Sequence, residues 1–172
     1  IEHPIVQGGM HYVGYPSLAA QVSNAGGLGI ITALTIAQGD RGAEKLREAI
    51  RECRRLTDKP FGVNITLLPV GVPPDYEGII RVIIEEGVKI VETAGRSPAK
   101  VIKPLKSAGI VVIHKCVAIR HALSAAKAGA DMISMDGFDC GGHPVRLSLS
   151  LSLSLSLNSR TTNKLRVRKT SE

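Results

Sequence analysis

Aromatic residues are scarce in this sequence, and tryptophan is absent. Phe, Trp and Tyr together make up 3% of the 172 residues, whereas apolar residues as a whole make up 44%. A chain of this length buries a sizeable core, so that core has to be built mainly from Ile, Val, Leu and Ala. An aliphatic core favours a βα architecture in which parallel strands are buried on both faces.

Cysteine is scarce as well, and long apolar runs are missing. The three cysteines, Cys53, Cys116 and Cys140, fit no metal-ligand spacing, so we expect free thiols, no metal site and a reducing, cytoplasmic location. No apolar run is long enough to cross a membrane, and no secretory segment is recognisable. Because the first residue is Ile1 rather than Met, a removed targeting segment stays an open alternative.

The formal charge of +7 does not predict a nucleic-acid-binding face. Residues 146–172 hold six basic residues against one acidic residue, so this short segment carries +5 of the total. The remaining 145 residues therefore carry only +2. A charge excess confined to one end describes a basic tail, and we expect no nucleic-acid partner for the main body.

Short β-branched and apolar runs recur along the chain and alternate with helical stretches. The predicted strands cover residues 5–6, 29–31, 61–65, 89–91, 110–113 and 132–135. The predicted helices cover residues 16–25, 43–55, 76–86, 97–106 and 118–128. This alternation predicts a parallel sheet made of about six βα units. From strand count alone, an incomplete TIM (β/α)8 barrel and a doubly wound open sheet both stay open.

The C-terminal segment has a different composition from the rest. Residues 147–157 alternate Leu and Ser strictly, and a tandem CT dinucleotide repeat translates as that alternation in any frame. We interpret residues 146–172 as a low-complexity Ser-Leu and basic tail, translated from a retained intron, a frameshift or a faulty gene model. We expect it to be disordered and separate from the body, with a genuine exposed strand or linker as the alternative.

Polar residues and glycines follow the predicted strands, at the edge where parallel sheets bind ligands. The residues at these positions are Gly9, Met10, Asn64, Lys115, Asp136, Gly141, Gly142 and His143. His114 precedes Lys115 and should point to the opposite face of its strand, because strand side chains alternate. We therefore predict a structural role for His114. The paired glycines before His143 permit close approach of a planar ligand, and a histidine there can exchange a proton near neutral pH.

Four stretches carry a resemblance to a known family. They read PIVQGGMHYVGYPSLAAQVSNAGGLGIIT, KPFGVNITLL, GIVVIHKC and GADMISMDGFDCGGHP, in that order, within residues 1–144. Together they resemble the nitronate monooxygenases, the FMN enzymes formerly called 2-nitropropane dioxygenases. The resemblance implies a TIM barrel rather than an open sheet, with residues 1–145 as a partial FMN-binding domain.

The family pattern also implies roles for individual residues. Gly9 and Met10 would lie against the isoalloxazine ring, and Asn64 would hydrogen-bond it. Lys115 would act as a cationic donor near the ring or the ribityl oxygens. Asp136 stands where many relatives have Gln, so a flavin contact at this position is the weakest of these expectations.

The glycine pair and the histidine complete the implied site. Gly141 and Gly142 would allow the cofactor to approach, and His143 matches the family's active-site histidine, a base or a polarising donor to the nitro group. The implied reaction is oxidation of an alkyl nitronate, a small-molecule substrate, by O₂. The family's seventh and eighth strands, which grip the flavin phosphate, have no counterpart after Pro144, so we expect a truncated barrel with weakened FMN affinity.

Two other functions stay open, and so does the oligomeric state. A related flavin-dependent enoyl-thioester (enoyl-ACP) reductase shares QGGM, SNAGGLGI, KPFGVNI and GGH, and would use NAD(P)H. The HKC and DGFDCGGHP stretches lean towards the nitronate monooxygenase. The third possibility is a non-catalytic fragment.

Overall fold

A computed structural model describes residues 1–68, 74–137 and 140, together with the backbone of residues 155–156. Its strands are β1 (Gly29–Thr32), β2 (Phe61–Leu67), β3 (Ile90–Gly95), β4 (Val111–Cys116), β5 (Met132–Met135) and β6 (Leu155–Ser156). Its helices are α1 (Pro16–Asn24), α2 (Ala33–Ile36), α3 (Gly42–Leu56), α4 (Tyr76–Glu85), α5 (Ala99–Ser107) and α6 (Ile119–Ala128). The alternation of strand and helix that the sequence predicts is confirmed.

The order of the strands decides between the two architectures. Strands β1 to β5 pair in chain order, and each is parallel to the one before it. A doubly wound sheet reverses its strand order at a switch point, and β1 to β5 show no such reversal. The fold is therefore that of an incomplete (β/α)8 barrel.

The outer face of this sheet carries the main core. Alternate residues such as Ile31, Val63, Val91 and Val112 pack against the helices in one continuous apolar cluster. The inner face has a much smaller apolar cluster, made of Leu28, Ile30 and Ile113 with Ile90 beside it. Because apolar burial is concentrated on the helix side, polar side chains have room on the inner face.

The first predicted strand, residues 5–6, is only a bridge. Val6 forms a single parallel bridge with Leu28. The Gln7 side chain then takes the place of a peptide group: its Oε1 accepts from Ile30 N at 3.2 Å and its Nε2 donates to Ile30 O at 3.0 Å. The prediction of a strand at residues 5–6 is therefore corrected to one bridge, after which a side chain makes the hydrogen bonds of a strand.

Glycines follow the ends of four helices. Gly26, Gly87, Gly109 and Gly129 all have positive φ just past the ends of helices α1, α4, α5 and α6, a conformation that favours glycine. The helix predicted for residues 97–106 begins at Ala99 instead, with Pro98 at the N-cap position and no side-chain cap.

The junction between α1 and β1 is unusually close. A Cβ atom on Gly29 would lie 1.9 Å from the carbonyl oxygen of Ala19 in α1. Ser23 ties the same junction to β2, because its Oγ accepts from Gly29 N at 3.1 Å and donates to Pro60 O at 2.8 Å. This junction lies at the N-terminal ends of β1 and β2, the side of a barrel that serves stability.

The described part of the tail is one short strand. Strand β6 pairs antiparallel with β5 over two residues, Leu155 with Ile133 and Ser156 with Met132. The other residues of 146–172 lie outside the described part of the chain, so the expectation of a disordered tail stays a prediction.

Two of the cysteines lie in the core. Burial raises the pKa of Cys53 to about 12 and also raises the pKa of Cys116, so both thiols are held in the unreactive protonated form. Among the described residues, no group of three His, Cys, Asp or Glu side chains is placed to hold a metal ion. None of the helices in the described ranges has the length and apolarity to cross a membrane.

Candidate functional site

A row of polar side chains crosses the inner face of the sheet. Thr32, Asn64 and Glu92 are paired in register on β1, β2 and β3, and all three are buried. Neighbouring strands lie about 4.8 Å apart, so side chains in register on one face can contact each other directly. Asn64 Nδ2 donates to Glu92 Oε2 at 2.7 Å, so two of the three residues in this row are hydrogen-bonded to each other.

The loop after the first bridge is held onto this row. Gly9 N donates to Glu92 Oε2 at 2.8 Å, and Met10 N donates to Thr32 Oγ1 at 2.9 Å. A Cβ atom on Gly9 would lie 2.3 Å from Cγ of Asn64, a distance that no real side chain tolerates. Only glycine lets the loop lie directly on the amide of Asn64.

The rest of this loop is also anchored to β1 and α2. The Oγ1 of Thr35 accepts from Tyr12 N at 2.8 Å and forms a 3.0 Å hydrogen bond with Nδ1 of His11. Tyr12 has a φ of 59°, which is costly for a non-glycine residue. The anchors on both sides hold the backbone of Tyr12 in this conformation and leave its ring exposed.

A charged pair lies on the inner face of the next strands. Lys115 Nζ is 3.4 Å from Asp136 Oδ2, and both side chains are about a fifth to a quarter exposed. Lys115 is in register with Ala94 on β3, and Ala94 with Thr66 on β2. Lys115 therefore stands two strand spacings from β2, about 10 Å away, across the small side chain of Ala94.

His114 has the structural role that the alternation predicts. It is buried on the outer face of β4, and its Nδ1 forms a 2.9 Å hydrogen bond with Oγ1 of Thr93. Burial lowers the pKa of His114 below its ordinary value of 6.5, because the charged form loses its hydration. This histidine is a neutral core residue, placed on the face opposite Lys115.

The predicted site residues thus fall into two described groups and one group outside the description. Gly9, Met10 and Asn64 are joined through the polar row, and Lys115 pairs with Asp136. The remaining three residues lie outside the described part of the chain; they are Gly141, Gly142 and His143. Their predicted roles therefore stay predictions.

Sequence reasoning missed the residue that links the first group. Glu92 is 2% exposed and accepts two hydrogen bonds on one oxygen. One signal could have found it: Glu92 directly follows the apolar pair Ile90-Val91, so it could be part of the buried strand. A buried carboxylate needs hydrogen-bond partners, and this would have pointed to contacts with other polar residues. Thr32 was missed in the same way, as the last residue of an apolar run.

The chemistry of these groups can be tested against the ring of a flavin. That ring needs hydrogen-bond donors and an acceptor along one edge, and a surface that allows a flat molecule to approach. Lys115 supplies a cationic donor. Asn64 is 1% exposed, with Nδ2 bonded to Glu92 and Oδ1 bonded to Thr66, so it mainly supports the Gly9 loop. Among the described residues, an added Cβ on Gly137 would meet nothing within 4 Å. The cationic donor and the backbone at Gly137 fit the ring portion of a flavin.

Comparison with known proteins gives one family. The nitronate monooxygenase family model matches residues 1–70 and 68–155. A nitronate monooxygenase of Paraburkholderia phytofirmans is 33% identical over 178 residues, covering 83% of this chain and 47% of the relative. The (3aS,4S,5R,7aS)-5-hydroxy-7a-methyl-1-oxo-octahydro-1H-indene-4-carboxyl-CoA dehydrogenase of Rhodococcus jostii is 39% identical, covering 87% of this chain and 40% of that protein.

A solved structure agrees with these matches. The structure of FabK from Thermotoga maritima superposes with a TM-score of 0.74 at 44% identity, over 86% of this chain and 44% of FabK. The chain thus spans less than half the length of each of these relatives. The family match covers almost all of residues 1–155, and we conclude that the chain belongs to the nitronate monooxygenase family, whose members are flavin-dependent oxidoreductases.

Proposed function

We propose that this chain carries the ring-binding part of an FMN site and that the protein oxidises alkyl nitronates with O₂. The observation that carries the proposal is the hydrogen-bonded group of Gly9 with the buried residues Glu92 and Asn64, held together at 2.7–2.8 Å on the inner face of a partial barrel. Ligands of such barrels bind towards the C-terminal ends of the strands. A rigid polar surface beside a glycine loop suits a flat, heteroatom-rich ring.

Each residue has a defined part in this proposal. Lys115 would donate to the ring or ribityl oxygens, with Asp136 fixing its ammonium group at 3.4 Å. Asn64, 1% exposed in this structure, would offer the ring edge only the N–H of Nδ2 that Glu92 does not bind, and Met10 would lie along the ring. Bound FMN would supply the two-electron redox chemistry that connects nitronate and O₂.

The predicted glycine pair and histidine complete the proposal. Gly141 and Gly142 would let the ring approach the backbone, because they lack Cβ atoms. His143 would polarise the nitro group or remove a proton from a neutral nitroalkane. A nitronate has already lost that proton, so its oxidation would use His143 mainly for orientation.

A second candidate is a flavin-dependent enoyl-thioester reductase that uses NAD(P)H. It is favoured by the 39% identical relative, which is named as a dehydrogenase of a carboxyl-CoA thioester. The same glycine loop and polar row would serve either reaction, because both need a fixed flavin ring. The two candidates differ in their substrates. In the first, a nitronate donates electrons to the ring and O₂ accepts them; in the second, NAD(P)H donates them and an enoyl thioester accepts them.

FMN titration followed by two assays tests these proposals on the purified chain. We expect quenching of FMN fluorescence, O₂ consumption with propionate 3-nitronate, and no oxidation of NADH with an enoyl thioester. NADH oxidation that depends on the enoyl thioester would favour the second candidate. A chain that neither quenches FMN fluorescence nor turns over either substrate would support the remaining alternative, a non-catalytic fragment.

A further inference from the structure

We propose that Glu92 is a positioning residue of the flavin site, whose carboxylate fixes both the glycine loop and the amide of Asn64. That this positioning serves a flavin depends on the proposed FMN function. Its geometry, however, comes from this chain alone. Glu92 lies in the middle of β3, buried to 2% exposure, on the strand between the two predicted groups of site residues.

One oxygen of Glu92 joins two separate parts of the site. Its Oε2 accepts from Gly9 N at 2.8 Å and from Asn64 Nδ2 at 2.7 Å. Gly9 is 83 residues away along the chain and Asn64 is 28 residues away. Hydrogen bonds to a charged acceptor are stronger than those between neutral groups, so this atom fixes where the loop lies relative to β2.

The same contact determines which way the amide of Asn64 faces. A carboxylate only accepts hydrogen bonds, so it selects the Nδ2 end of Asn64. The Oδ1 end then accepts from Thr66 Oγ1 at 2.8 Å. A flipped amide would place Oδ1 against the carboxylate oxygen and lose that hydrogen bond, whereas the Thr66 hydroxyl can bond to either end of the amide. Glu92 therefore fixes the orientation of the Asn64 amide, which is 1% exposed and lies directly beneath Gly9.

A second anchor makes the loop position depend on two strands at once. Gly9 N is held by Glu92 on β3, while the next N–H, that of Met10, is held by Thr32 on β1. Without the carboxylate, the loop would be held on this side only by the hydrogen bond from Met10 N to Thr32, and it could rotate about that bond. The loop would then move relative to Asn64 even though the sheet stays intact.

A general loss of stability has to be distinguished from this local effect. Asp131 offers a matched control, because its Oδ2 accepts from a backbone N–H, that of Val112, at 2.8 Å. Asp131 lies at the N-terminal ends of β4 and β5, where it pairs with Lys106 at 2.6 Å. Asp131→Asn therefore changes a comparable carboxylate at the opposite end of the sheet.

The experiment measures hydrogen exchange of the Gly9 amide by NMR in the full chain, together with FMN affinity by fluorescence quenching. We expect Glu92→Leu to speed exchange at Gly9 about 10- to 100-fold and to weaken FMN binding at least about tenfold. Glu92→Gln keeps a neutral acceptor, so both effects should be only a few-fold. Asp131→Asn should leave both readings at the wild-type level.

Each outcome bears on one proposal. Unchanged Gly9 exchange in the Glu92 variants, or equal acceleration in Asp131→Asn, would overturn the positioning role. Faster exchange with unchanged FMN affinity would reduce Glu92 to a structural residue and overturn it as well. Wild-type chain that binds no FMN would instead overturn the proposed function. If Glu92→Leu does not fold, Glu92→Gln is compared with Asp131→Asn: a few-fold effect in the first variant alone supports the positioning role, and equal readings in both overturn it.

Discussion

Two glycine-containing segments lie at opposite ends of the same sheet, and their glycines are needed for different reasons. In residues 23–29, Gly29 faces the backbone of Ala19, so helix α1 can lie close to β1. In residues 7–14, Gly9 faces the side-chain amide of Asn64. Glycine thus permits helix packing at one end and an ordered polar surface at the other, and sequence composition alone does not separate these roles.

The largest effect should follow from Gly29→Ala. Its Cβ would lie 1.9 Å from a backbone oxygen, and a backbone contact is relieved only by moving α1. We expect a loss of about 3 kcal/mol or more in the free energy of unfolding, measured by urea denaturation. Gly137→Ala is the control, because its Cβ would meet no atom of the described residues within 4 Å; its free energy of unfolding should stay within about 0.5 kcal/mol of the wild-type value. Similar values for the two variants would contradict the close α1–β1 packing.

Gly9→Ala should have a smaller effect on stability and a specific effect on the site. The clash includes the Cβ of Asn64 at 2.7 Å, which side-chain rotation does not move, so the loop itself has to shift away from β2. A surface loop moves more easily than helix α1, and we expect a loss of about 1–3 kcal/mol. The shift breaks the hydrogen bond from Gly9 N to Glu92, so FMN affinity measured by fluorescence quenching should fall about tenfold. If stability fell as far as in Gly29→Ala while FMN affinity stayed unchanged, the two segments would not differ in role.

The smallest effect should be a loss of stability at acidic pH, and it should affect both ends of the sheet equally. Burial lowers the pKa of His114, so the unfolded chain takes up a proton before the folded chain does. The free energy of unfolding should therefore fall as the pH drops below the ordinary value of 6.5. His114→Gln does not titrate and can keep a hydrogen bond to Thr93. Urea denaturation should show wild type losing stability relative to this variant between about pH 7.5 and pH 5.5.

That acid test also compares the two segments. His114 lies on the outer face in the middle of β4, so its protonation should loosen residues 7–14 and 23–29 to a similar extent. Amide exchange recorded at both pH values would show this. A response confined to one segment would mean that the ends of the sheet unfold independently.

Most of the fold could be predicted because its signals are local. Apolar runs and the glycines after helices set the starts of the strands β1 to β5 and the bounds of the predicted helices to within two residues, as for α1 and α4. Helix α2 was missed because the four residues Ala33–Ile36 directly continue the apolar run of β1. The first strand was overestimated because the side chain of Gln7, rather than a peptide group, pairs with Ile30.

The candidate site was less predictable because its contacts join distant residues. The strand predicted for residues 89–91 ends before Glu92, whereas β3 continues to Gly95. Glu92 belongs to the strand interior only because Gly9 and Asn64 supply its hydrogen bonds. Nothing within a few residues of Glu92 shows those partners, and an isolated glutamate more often faces solvent.

The sequential strand order has a consequence for how the chain folds. Each of the strands β2 to β5 finds its partner in the strand just before it, so the sheet can grow as the chain leaves the ribosome. Each pairing joins residues only 19 to 32 positions apart along the chain. The bond from Gly9 to Glu92 spans 83 residues, and it cannot form until β3 has been made. Met10, in contrast, can bond to Thr32 as soon as β1 is present. The loop is therefore fixed in two steps, first to β1 and only later to β3.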